Sequence, residues 1–110
     1  MLSIEELKRL YEALGGEPEF EFAFEGRDCA YMIIKYDDHA SFQRCGYEGG
    51  SGEIDYADLD SILESDLIDG INLARDWGRV CDIVANSAIS LACYSSADEV
   101  LDEHGEILYT

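Results

Sequence analysis

Positive charge is scarce in this 110-residue sequence: 7 Lys and Arg stand against 25 Asp and Glu, for a formal net charge of −18. A chain so poor in cations cannot neutralise phosphates, so direct nucleic-acid binding is excluded. Histidine occurs twice, at His39 and His104, and neither forms a spaced pair with another histidine or a cysteine doublet, so a zinc site has no framework. A cysteine–histidine couple such as Cys45 with His39 would sit six residues apart on one strand, about 20 Å by strand rise, beyond proton-transfer reach. No C-x-x-C pair is present among Cys29, Cys45, Cys81 and Cys93, which read as reduced core residues. Cys29 with Cys45 is the exception, lying nearly opposite if their strands pair. No phosphate-cradling glycine motif occurs, and Gly49-Gly50-Ser51-Gly52 lies between acidic residues that repel phosphate. Proline occurs once, and no repeat or linker appears. No stretch approaches the ~18 apolar residues of a membrane span, and Met1–Leu10 lacks a basic region before an apolar run. The expectation is a soluble, cytoplasmic protein without cofactor.

What the chain does have is apolar content of 47%, including 7 Tyr, 4 Phe and 1 Trp, enough to fold in spite of its charge. Its length suits one core, hence a single domain over residues 1–110. Ser3 and Glu6 have capping-box spacing, and Leu2, Leu7, Leu10, Tyr11 and Leu14 recur at helical intervals until Gly15-Gly16. After Pro18, Glu19–Glu25 alternates strictly, three phenylalanines on one face and three glutamates on the other. Strands at 29–36 and 39–47 complete a three-stranded antiparallel meander. Ile54, Tyr56, Leu59, Ile62 and Leu63 then predict a helix from Asp55 to Ser65. A further helix carries Leu73, Trp77, Val80, Cys81 and Val84 on one stripe, with Trp77 as core anchor. Ala97–Leu101 suits the start of a helix or a hairpin arm turning at His104-Gly105, and the favoured reading is a short helix followed by a small strand, Glu106–Tyr109. The expected class is α+β: an N-terminal helix, a meander, two or three helices packed on one face, and a possible C-terminal strand.

The segment Gly52-Glu53-Ile54-Asp55 has the outline of half a calcium loop. Placing Gly52 at its sixth position puts Tyr47, Gly49 and Ser51 where hard oxygen ligands are needed, so calcium is not expected. The distribution of charge is more informative. Between Arg44 and Arg75 stand Glu48, Glu53, Asp55, Asp58, Asp60, Glu64, Asp66 and Asp69, with no cation among them. Glu19, Glu21 and Glu25 add an acidic row, the first two about 7 Å apart by strand rise, close to the distance between successive phosphates of a DNA strand. Solubility is met by a net charge of about 2 to 8, so an excess this large points to a function beyond it.

In architecture the chain resembles small acidic proteins of phages and mobile elements, the antirestriction proteins and anti-CRISPR inhibitors, on its N-terminal helix, meander and acidic helices. The stretch DLDSILESDLIDGINLARDWGRV, residues 58–80, is similar to segments of short mobile-element proteins. The resemblance implies a non-enzymatic inhibitor that mimics nucleic-acid phosphates and blocks a basic nuclease or other nucleic-acid enzyme. The candidate contact residues are Glu19, Glu21, Glu25, Glu48, Glu53, Asp55, Asp58, Asp60, Glu64, Asp66 and Asp69, with Tyr47 and Tyr56 as aromatic anchors. An immunity protein for a nuclease toxin fits the same pattern. So does a structural or oligomerising domain with a merely solubilising surface. The expected state is a monomer or homodimer.

Overall fold

The computed structural model describes residues 1–45 and 52–108. Its first element, α1 (Ile4–Ala13), begins where the sequence places it, with the Ser3 hydroxyl accepting the Glu6 N–H at 3.2 Å. The capping box is not reciprocated, because the Glu6 carboxylate turns to the Ala97 N–H at 3.0 Å and to Arg9. At the other end Lys35 donates to the carbonyls of Tyr11 and Leu14, a cation where the helix dipole is negative.

Among the described residues six strands are present: β1 (Glu19–Phe24), β2 (Ala30–Lys35), β3 (Ala40–Arg44), β4 (Ile54–Tyr56), β5 (Val80–Ala85) and β6 (Ile89–Ser90). They form one antiparallel sheet in the order β4-β3-β2-β1-β5-β6. The meander is therefore half of a larger sheet. Its strongest departure from expectation is β5, where the helical stripe Leu73–Val84 predicts a helix. That helix is only α3 (Leu73–Asp76), ended by a 3-10 turn over Trp77–Arg79. Gly78 disfavours continuation, and β-branched Val80, Ile83 and Val84 find a ready edge along β1. The helix expected from Asp55 likewise yields its start to β4, since Ile54 and Tyr56 keep a strand's period of two. The remaining α2 (Leu59–Glu64) is capped by Asp58, whose carboxylate accepts the Ser61 N–H at 2.8 Å. Near the C-terminus α4 (Ala97–Val100) forms as expected, and Leu101 bridges Ile107 in place of a terminal strand. Tyr109 lies outside the described residues, as does most of the expected glycine-rich loop.

The four α-helices of the described residues pack on one face. Phe20, Phe22, Phe24, Tyr31, Ile33, Phe42 and Ile83 meet Leu7, Leu10, Ile62, Leu63, Leu73 and Val100 in one buried cluster. Trp77 docks at its margin, donating to the Leu2 carbonyl at 3.0 Å with its ring edge-on to Phe22. The four cysteines are free, and none is fully buried, contrary to their reading as core residues. Cys81 falls at the register shift between β1 and β5, and Cys93 in a turn. Tyr31 pairs with Arg44, so Cys45 stands beside Ala30, and Cys29 and Cys45 point to opposite faces, which rules out the cross-strand disulfide in this register. No helix among the described residues is long and apolar enough to cross a membrane.

Candidate functional site

The face of the sheet turned away from the helices carries no covering element among the described residues. Alternation and register define what lines it. On β1 stand Glu19, Glu21 and Ala23; opposite them on β2 are Ile34, Met32 and Ala30. On β3, Ser41 and Gln43 continue the rows from Ile34 and Met32, and Asp55 of β4 continues from Ser41. On the other side Val84 of β5 lies beside Glu21, and Asp82 beside Ala23. Apolar Ile34, Met32 and Ala30 thus form a half-buried band between carboxylates on β1 and on β4.

One end of the band is organised by Tyr36 and His39, stacked with ring centroids 4.5 Å apart and planes at 11°. The Tyr36 hydroxyl donates to Glu53 at 2.6 Å, which holds the Glu53 carboxyl below its ordinary value and pushes the phenol above its own. Ser41, beside both, is fully buried on this otherwise open face. His39 meets Asp38 at 2.6 Å through Nδ1 and Asp55 at 3.6 Å through Nε2. The hydrogen bond to Asp38 raises the His39 pKa against desolvation, the next largest effect, with the Asp38, Asp55 and Glu53 charges adding to the rise. At the far end, burial and then the charges of Glu21, Cys29 and Glu19 push the Cys45 thiol up, so it is a poor nucleophile.

Strand cations avoid this face. Among the described residues, Lys35 and Arg44 are the only lysine or arginine within the strands, and both point to the helix side. Lys35 caps α1, and Arg44 pairs with Asp69 at 2.9 Å. Lys8 pairs with Asp60, Arg9 with Glu6 and Asp98, and Arg75 with Asp76, all on helices or their connections.

The thirteen candidate contact residues are therefore divided. Glu19, Glu21 and Asp55 share the open face, with Glu53 beside Asp55 at its β4 margin. Glu25 is exposed beyond the end of β1, its N–H bound to the Arg79 carbonyl at 2.8 Å. Asp58 caps α2, and Asp60 holds Lys8. Asp69 takes the Tyr31 hydroxyl at 2.7 Å and Arg44, an internal duty for a residue expected to face a partner. Glu64 and Asp66 are exposed on the helix side. Tyr56 is half-buried against the core, its hydroxyl bonded to Ser65 at 2.7 Å, which removes it as a projecting anchor. Tyr47 and Glu48 lie outside the described residues.

Asp82, Met32, Ile34 and His39 belong to the open face and were missed. Their signal was present for the β2 pair, since Ala30, Met32 and Ile34 alternate with Tyr31, Ile33 and Lys35. A cleft of about 290 Å³ between α1, the β2–β3 turn and α2 is lined by Lys8, Tyr11, Lys35, His39 and Asp58, but both its lysines are already engaged. Among the described residues no group of histidine, cysteine and carboxylate side chains is placed to hold a metal ion. The sequence matches no protein-family model, and neither a curated protein nor a solved structure matches it.

Proposed function

We propose that the protein is a non-enzymatic acidic binding protein whose carboxylates stand in for nucleic-acid phosphates, occupying the cationic surface of a nuclease or other nucleic-acid enzyme and blocking its substrate, as anti-CRISPR and antirestriction proteins do. One observation carries the reading: Glu19 and Glu21 on β1 and Asp55 on β4 share a sheet face whose strands present no lysine or arginine to it. Successive carboxylates along β1 are about 7 Å apart. Surface charge of one sign steers a partner of the opposite sign and sets the salt dependence of the encounter.

The experiment is competition. A basic nuclease bound to labelled DNA is titrated with the protein at ionic strengths from 0.05 to 0.3 M. Displacement of DNA that weakens steeply with salt is expected, because exposed charges are screened within about 10 Å at 0.1 M. Displacement indifferent to salt, or none from any cationic nucleic-acid enzyme, would sink the reading.

A further inference from the structure

Between the β1 and β4 carboxylates lie two strands, so the acidic rows are three strand intervals apart, about 14 Å at ~4.8 Å each. An α-helix with its side chains is about 10–12 Å across. The major groove of B-DNA, which admits a helix between two phosphate rows, is about 12 Å wide. The floor of this channel differs from a base-pair edge, however: β2 gives it the apolar band of Ile34, Met32 and Ala30, and β3 gives it Gln43, whose amide lies against the Met32 sulfur at 3.8 Å, and the buried Ser41. Tyr36, stacked on His39, reaches from the end of β2 across β3 to Glu53 and closes that end.

We propose that the open face is a docking channel for a basic amphipathic helix of the partner protein, laid parallel to β2 and β3. Its apolar side rests on Ile34, Met32 and Ala30, while lysines and arginines on its two flanks reach Glu19 and Glu21 on one side and, on the other, Asp55 and Glu53, which His39 and the Tyr36 hydroxyl already contact from within the chain. The inference rests on the acidic-binder reading and specifies which surface binds and what it binds. A second copy of this chain is a poor occupant. Face-to-face pairing sets two surfaces of like charge against each other, with no strand lysine or arginine on either to offset them. The part of the partner's cationic surface that enters the channel is therefore an amphipathic one, because a uniformly charged patch would cover the apolar band with groups that must be desolvated without a partner.

The probe is a synthetic leucine–lysine peptide of about 14 residues, the helical length that spans the ~20 Å of β2. Its leucines are patterned on one helical face, and a scrambled peptide of identical composition serves as control. Binding is read by fluorescence anisotropy at two salt concentrations. The patterned peptide should bind at least about tenfold tighter than the scrambled one, a difference of about 1.4 kcal/mol. Met32→Asp adds negative charge yet removes apolar floor; it should weaken the patterned peptide by about tenfold, whereas attraction by charge alone predicts equal or tighter binding. Met32→Gln, with no added charge, guards against a change of fold. The double variant Glu19→Gln, Glu21→Gln should weaken binding severalfold, and Glu64→Gln with Asp66→Asn, an equal loss of charge on the helix side, should leave it within twofold.

Equal, salt-sensitive binding of both peptides, unaffected by Met32→Asp, overturns the channel while leaving the acidic-binder reading intact. Salt-insensitive binding, or none, removes both. A concentration-dependent dimer abolished by Met32→Asp would assign the face to self-association and overturn the proposal.

Discussion

Asp69 holds its backbone at φ 52°, in the left-handed region that Asp and Asn tolerate better than other non-glycine residues. Its carboxylate accepts from the Tyr31 hydroxyl and Arg44, and its carbonyl from Arg27 at 3.4 Å. Burial, followed by the Cys29 and Asp69 contacts, holds the Tyr31 phenol well above its ordinary value, so it remains a donor. Replacing Asp69 by Ala should cost about 1–3 kcal/mol in urea unfolding, from a lost charge-assisted network and a poor left-handed residue. Asp69→Asn, which keeps an acceptor and the backbone tolerance, should cost visibly less. No measurable loss in either variant would show that the network contributes nothing. None of this was legible in sequence, where Asp69 is one more acid in a run and its partners Arg44 and Tyr31 are 25 and 38 residues away. His39 offers a second test at this scale. Its pKa is raised in the fold, so its contribution to stability is complete below the unfolded value near 6.5 and is lost as pH rises through the folded value. The imidazole proton resonances should titrate with a midpoint above 6.5, and Asp38→Asn should bring that midpoint down.

Among the elements, α1 and β1 were readable because each announces itself within a few residues, by a cap and a helical stripe in one case and by strict alternation in the other. Ser3→Ala should cost about 1 kcal/mol, as loss of an N-cap usually does. Phe22→Ala should cost about 3–5 kcal/mol, since the ring is fully buried and packs edge-on against Trp77. Chemical denaturation measures both, and a Phe22→Ala cost under 1 kcal/mol would contradict the described core. Strand β5 was not readable. Residues 73–84 satisfy a helical period, and what decides against the helix is an unpaired edge of β1 far away in the chain. Local pattern gave way to tertiary pairing there, just as Ile54 and Tyr56 gave way to pairing with β3. The acids of the face followed the same divide: the β1 pair was visible by alternation, while Asp82 depended on knowing that 80–85 is a strand.

For the molecule as a whole, a Cα radius of gyration of 13.2 Å is that of an ordinary domain of about this length, so 18 excess negative charges do not swell the chain. They still repel. Screening shortens from ~30 Å at 0.01 M salt to ~3 Å at 1 M, so the midpoint of thermal unfolding should rise by several degrees across that range. A midpoint that stays flat or falls would mean that the ion pairs on the helix side outweigh the repulsion. The α+β class was legible at this scale from composition and the order of patterns. The division of acids between two faces was not, since it follows from sheet order alone. That order has a bearing on synthesis too. As the chain leaves the ribosome, β1, β2 and β3 can zip together early, but the second edge of β1 waits for residues 80–85 and stays available to the edge of a neighbouring nascent chain. Glu19 and Glu21, on that waiting strand, are placed to act as gatekeepers in the interval, repelling identical strands until β5 arrives.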